Sequence, residues 1–325
     1  LPLEKYIRVH ILPSSHVNIC KRDDQLLIYV LSTLQNIRQR HYIRKTWANM
    51  THHSNLSKTC CIFIIGTASS DLVDSWSYQR HLDNEKQLYN DVVQINHSES
   101  YRNVVYKEIA ALQWSYKYYR AIPFLFKTDD DLIVDSILLS SIIHSLIRQD
   151  MKNTYVDKYR PYFMTNLVPF NQKSFFKGWE MDRQPVQHTG FGVVMSSTVR
   201  NRLYRASLFY ETESVVWVGD VFVSGFLGRT ARVQCRNLGL DYEQTASGNC
   251  SCLMKQNPML TICSTMIHSG IENYNEYEAT WKVILQRHQS GKTNETEDAS
   301  TDNPLPEFLD HTFAYSTWKT KEQHY

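Results

Sequence analysis

The stretch Phe124-Leu-Phe-Lys-Thr-Asp129-Asp130-Asp131 decides how the rest of the chain is read. A short apolar run has the character of a buried strand, and it ends abruptly in three consecutive carboxylates. Three neighbouring Asp side chains repel one another, so a solvated acidic turn is the plain alternative. At the carboxyl end of a strand, however, such a cluster lies where open α/β sheets bind ligands. A divalent cation would offset the repulsion, and hard carboxylate oxygens suit Mg²⁺ or Mn²⁺, which in turn hold phosphates.

Working outward, Leu26–Leu31 and 61–65 read as further buried strands, with shorter candidates at 92–95 and 124–126. Between the last two, Val105, Ile109, Leu112, Tyr116 and Tyr119 recur at steps of four and three, which predicts one face of a helix. After the acidic triplet, Ser136 is the expected cap of a helix carrying Ile137, Ile142, Ile143, Leu146 and Ile147. Strands alternating with helices predict an α/β domain with a mostly parallel sheet. The expected organisation is a single catalytic domain over 1–289, its second half loop-rich and stapled by disulfides. A polar, acidic linker follows at 290–307, and an aromatic-containing tail of unassigned role at 308–325.

The 325 residues, 42% of them hydrophobic, suffice for a large core. Charge is nearly balanced at +2, with 35 basic and 33 acidic residues, and no long basic run points to nucleic acid. Seven cysteines stand at 20, 60, 61, 235, 250, 252 and 263. Five Asn-x-Ser/Thr sequons begin at Asn49, Asn55, Asn96, Asn249 and Asn294. Together they favour the secretory pathway over the cytosol. The odd count leaves at least one thiol free or paired with another chain. Cys60-Cys61 with Cys250-x-Cys252 is a conceivable zinc set, although the spacing is not the usual Cys-x-x-Cys. No apolar run is long enough to span a membrane. A chain starting at Leu1 fits a luminal portion whose signal or anchor lies outside it.

The order of several short blocks resembles the β-1,3-glycosyltransferases, the galactosyl- and N-acetylglucosaminyltransferases of glycosyltransferase family 31. The blocks are Arg40-His-Tyr-Ile-Arg44-Lys-Thr-Trp47; Asp91-Val-Val-Gln94 with Ser100-Tyr101-Arg-Asn103 and Lys107; Lys127-Thr-Asp-Asp-Asp131; Thr189-Gly190-Phe-Gly192-Val-Val-Met-Ser196; and Gly219-Asp220-Val-Phe-Val-Ser-Gly225. A weaker sixth match is His268, after Cys263. The resemblance implies a GT-A-like nucleotide-sugar-binding fold and a Golgi-luminal or secreted enzyme. It implies Mn²⁺ or another divalent cation, a UDP-sugar donor and a glycan acceptor on glycoprotein or glycolipid. It further implies Asp220 as catalytic base, and Asp131 and His268 as metal ligands. Asp129 and Asp130 complete the metal motif, and Arg44 and Lys107 contact or organise the donor. Gly190 and Gly192 let backbone pass close to the bound sugar, unless they form a plain turn. Trp47 reads as core packing.

Two departures stand out. The family usually has Glu-Asp before the Val of the fifth block, whereas this chain has Gly219-Asp220. The Asn103 block also lacks a sequon common there. Two other readings compete with the transferase. Metal-dependent phosphohydrolases use an Asp-x-Asp followed by small turn residues, and Leu132-Ile-Val fits that poorly. A luminal glycan- or UDP-sugar-binding protein that has lost turnover is the other, motivated by Gly219.

Overall fold

The computed structural model describes residues 6–13, 18–69, 73–152, 162–164, 167–168, 187–188, 192–236, 241–243, 249–265 and 274–290. His268, Gly190, the expected linker beyond the final helix and the tail lie outside them.

The strands are β1 (Leu26–Leu31), β2 (Thr59–Thr67), β3 (Val92–Ser98), β4 (Phe124–Asp129), β5 (Leu132–Val134), β6 (Tyr162–Met164), β7 (Leu167–Val168), β8 (Gln187–His188), β9 (Val193–Ser196), β10 (Gln234–Arg236), β11 (Asp241–Glu243) and β12 (Leu260–Ser264). The helices are α1 (Ile37–Lys45), α2 (Ser75–Tyr89), α3 (Val104–Tyr118), α4 (Ser136–Lys152), α5 (Ser197–Ser207), α6 (Gly228–Thr230), α7 (Cys250–Gln256) and α8 (Asn275–Ser290). A π-helical segment, Val221–Leu227, leads into α6.

The central sheet runs β10-β6-β9-β4-β1-β2-β3. Its core, β4-β1-β2-β3, is parallel, while β9 pairs antiparallel with β4 and β6. Why β1 is apolar at every position is visible in its packing. Leu26, Ile28 and Val30 enter one core with Trp47, Ile137 and Tyr277. Leu27, Tyr29 and Leu31 enter the other with Ile109, Leu112 and Phe222. A strand buried on both faces has no place for alternation. The expected α/β class with a mostly parallel sheet is therefore what the chain forms.

After β1 the chain builds β2 and β3 on one side, then places β4 on the other. The order reverses between β1 and β4, which opens a crevice at their carboxyl ends. Leu31 is level with Asp129 across that boundary. The turn Asp130–Asp131 then carries the chain from β4 into β5, which joins a second sheet, β11-β12-β5. There β12 runs antiparallel to β5, pairing Cys263 with Ile133.

Two expectations need correction. Ser136 does not cap α4. Asp135 Oδ1 accepts from Leu138 N at 2.9 Å, and Ser136 Oγ instead donates to the Trp47 carbonyl at 2.6 Å. The conceivable zinc set does not exist, because Cys60 is bonded to Cys20 and Cys250 to Cys263. The second half carries the expected staple in Cys250–Cys263, and Cys20–Cys60 ties the segment before β1 to β2. Among the described residues, Cys61 (buried) and Cys252 (exposed) are free thiols. Trp47 packs in the core, fully buried, and donates from Nε1 to the Leu132 carbonyl at 3.1 Å. No described helix is long and apolar enough to cross a membrane.

Candidate active site

The three aspartates at the end of β4 have three different fates. Asp129 pairs with Lys127 Nζ at 3.2 Å. Burial, opposed by Lys127 and reinforced by the charges of Asp131 and Asp220, pushes its carboxyl up to about 7. Asp130 is buried; its Oδ2 accepts from Asn36 Nδ2 at 2.8 Å, and its carbonyl accepts from Tyr277 Oη at 2.7 Å. Asp131 is half-buried, and its carbonyl accepts from both the backbone N and the Oγ1 of Thr265 at 2.8 Å. The acidic turn is thus pinned from the start of α1, the end of β12 and the start of α8.

Asp220 comes from 91 residues further along the chain than Asp129 and reaches the same end of the sheet. Its carboxylate lies 3.4 Å from Lys127 Nζ, with a third of the side chain exposed. Position follows from what comes next: Val221, Phe222, Val223 and Leu227 of the π-helical segment are buried in the second core. Such segments recur at functional sites because the widened turn re-aims the backbone. Lys127 is 4% exposed at the side chain and bridges Asp129 and Asp220. Those carboxylates hold its ammonium charged against the desolvation of a buried site.

Two groups at this centre were not singled out in the sequence. Glu108 of α3 is 4% exposed, and its Oε1 has no hydrogen-bond partner among the described residues. Burial pushes its carboxyl up to about 8, with Lys127 opposing and Asp220 and Asp129 adding to the rise. Tyr29 Oη is likewise buried without a partner. Tyr29, Glu108, Lys127, Asp220 and Ser224 line one small cavity. Glu108 leaves a trace in the sequence, since it falls between Val105 and Ile109 in the apolar stripe of α3, whereas Tyr29 is only one more residue of the apolar run of β1.

The other expected residues are placed as follows. Lys107 Nζ donates to the Ser32 carbonyl at 2.8 Å and to Glu99 Oε2 at 2.6 Å. Glu99 Oε1 in turn accepts from Gly66 N at 2.5 Å, so Lys107 ties together the carboxyl ends of β1 and β2. Arg44 is committed elsewhere: Nε and Nη2 donate to Asp91 at 2.7 and 2.9 Å, and Nη1 to Glu85 at 2.8 Å. Arg40 pairs with the same Glu85 at 2.6 Å. Gly192 serves packing, since a Cβ there would lie 2.4 Å from Ile262 Cδ1 and 3.1 Å from the Phe126 ring. Near Asp220, Trp217 meets Tyr101 edge-on, with centroids 5.4 Å apart and Tyr101 largely exposed.

The donor chemistry at the end of β4 suits a hard divalent cation: carboxylate oxygens, Asp131 half-exposed among them, gathered beside Lys127. Among the described residues, the one tighter cluster of candidate ligands is Cys20, Asp24 and Cys60. Its two sulfurs are consumed by the disulfide.

Comparison with known proteins adds a lineage to this geometry. The galactosyltransferase family model matches residues 38–239. The rat protein named UDP-GlcNAc:betaGal beta-1,3-N-acetylglucosaminyltransferase 7 is 32% identical over 216 residues, covering 64% of this chain and 52% of the rat one. Human lactosylceramide 1,3-N-acetyl-beta-D-glucosaminyltransferase is 26% identical over 217 residues, covering 64% of this chain and 55% of that protein. Human beta-1,3-galactosyltransferase 2 is 26% identical over 190 residues, covering 56% and 43%. The match spans about half the length of these relatives. A solved galactosyltransferase, LgtC in complex with donor and acceptor sugar analogues, aligns at a TM-score of 0.40 with 8% identity, over 79% of this chain and 95% of that one.

Proposed function

The chain belongs to the galactosyltransferase family, and on that premise we propose that it is a metal-dependent, inverting UDP-sugar hexosyltransferase. It moves a hexose, galactose in the first instance or else an N-acetylhexosamine, onto a glycan hydroxyl to form a β-1,3 linkage. The working place of such an enzyme is the Golgi lumen or the secreted space, with acceptors on glycoprotein or glycolipid. The observation that carries the reading is the meeting of Asp220 with the acidic end of β4 across Lys127, at 3.4 and 3.2 Å.

The chemistry follows from what these groups can do. The acceptor hydroxyl is a weak nucleophile until its proton is removed as the new bond forms. Asp220 is a partly exposed carboxylate held against Lys127, and it takes that proton. The acceptor oxygen attacks the anomeric carbon, the bond from that carbon to the diphosphate breaks, and UDP leaves with the electron pair. A displacement of this kind turns an α-linked donor into a β-linked product. Asp131 and His268 would hold a divalent cation such as Mn²⁺, whose charge would offset that of the leaving diphosphate. Asp129 and Asp130 keep the turn in place through Lys127 and Asn36. Lys107, by tying β1 to β2, keeps the donor crevice at their carboxyl ends in shape. Gly190 would let backbone approach the sugar.

The test is a panel of UDP-sugars with Mn²⁺, read by UDP release with and without β-galactoside, N-acetylglucosamine and N-acetylgalactosamine acceptors. Acceptor-dependent release with one donor, lost on chelation, is expected. Asp220→Asn should lower kcat by a factor of about 10² or more while donor binding is kept. Loss of donor affinity with turnover intact would remove Asp220 from the role of base. Gly219 favours a second reading, a binding protein without turnover; UDP binding with no release for any donor and acceptor would select it.

A further inference from the structure

The acidic residue missing at position 219 has a structural counterpart on another element. A Cβ built on Gly219 would lie 2.3 Å from Oε1 and 3.2 Å from Cδ of Glu108, with Val104 Cγ1 at 3.5 Å. A side chain there fits only if the Glu108 carboxyl, the far end of a flexible side chain, moves aside. The glycine thus matches the carboxyl of Glu108, which occupies the volume a residue-219 side chain would enter. That carboxyl is not ordinary packing. It is buried, its Oε1 is unpartnered among the described residues, and it shares a cavity with Lys127 and Asp220. An ionisable group is seldom kept in such a place without a task, because its burial is costly.

We propose that Glu108 delivers from α3 the carboxyl that position 219 lacks, and that it is a positioning residue for Asp220. It acts in two ways. Its side chain packs against the backbone of residue 219, immediately before the base. Its carboxyl lines the same small cavity as Lys127 and Asp220, beside the 3.4 Å contact between those two that sets where the base points. The inference rests on the transferase reading above and deepens it: a second acidic group, supplied by α3, stands beside the base.

Three variants of the full chain test this: Glu108→Ala, Gly219→Glu and the two combined. Glu108→Ala should fold and lose about tenfold to a hundredfold in kcat, with the donor KM within about twofold of wild type. Gly219→Glu alone should lower the melting temperature, because the new side chain displaces the Glu108 carboxyl from its place. The combined variant should recover both the melting temperature and at least half of the lost activity on a logarithmic scale. A purely structural Glu108 would allow recovery of stability without recovery of kcat, and that result overturns the proposal. Unchanged kcat in Glu108→Ala overturns it as well. If wild type itself transfers no sugar, the transferase reading fails first. The melting temperatures of the four proteins still decide whether residues 108 and 219 exchange one volume: destabilisation by Gly219→Glu in both backgrounds would refute that exchange.

Discussion

Lys127 is the residue around which the centre is organised, and Glu108 is the residue through which its electrostatics can be read. Burial dominates at Glu108, with Lys127 opposing and Asp220 and Asp129 adding to it, raising its carboxyl from an ordinary glutamate value to about 8. In the unfolded chain it titrates near 4.5. As pH rises past that value the unfolded state releases a proton that the folded state retains, so the stability contributed by Glu108 is complete below about 4.5 and is lost up to about 8. Glu108→Gln copies the protonated shape and does not titrate. It should therefore match wild type in melting temperature at pH 4 and exceed it increasingly towards pH 8. A constant difference between the two proteins across that range would refute the raised pKa. The residue was hard to see in the sequence for a physical reason. A glutamate among Val105, Ile109 and Leu112 marks a buried polar group, yet its partners, at positions 127 and 220, are far along the chain.

At the scale of elements, the local periodicities carried most of the information. The strands β1 to β4 and the helix α3 follow directly from apolar runs and from steps of three and four. The pairing of β5 with β12, 130 residues apart, has no local signature because each strand is only three to five residues long. Partner choice was equally invisible for Arg44. Its block position suggested the donor, and the fold commits it to the joint between α1, α2 and β3. Its guanidinium is held by Asp91 and Glu85 and stacks on Phe63 and Tyr89 at 4.6 and 4.2 Å. Removing it leaves two buried carboxylates under-compensated, which costs roughly 3–5 kcal/mol in comparable pairs. Arg44→Ala should accordingly lower the melting temperature by many degrees and leave the donor KM of the surviving folded protein within about threefold of wild type. A large rise in donor KM with unchanged stability would return Arg44 to the donor site.

At the scale of the molecule, the centre lies where the large sheet hands over to the small one. β4 ends the first, β5 begins the second, and the acidic turn between them is fixed by α1, β12 and α8. Asp220 approaches from a different part of the chain, mounted on the π-helical segment beside α3. Two sets of groups with separate supports should separate functionally. Ligands that engage the turn should stabilise the whole domain by binding the folded state alone, by about 2.7 kcal/mol at a hundredfold excess over the dissociation constant. UDP with Mn²⁺ is thus expected to raise the melting temperature of wild type by several degrees. Asp131→Ala should lose that rise, because a carboxylate at the turn is removed while the Thr265 bonds to its carbonyl persist. Asp220→Asn should keep the rise in full while transferring almost nothing. If Asp220→Asn abolished the shift as well, base and donor site would be one structural unit, and the division of labour between the β4 turn and the π-helical segment would be wrong.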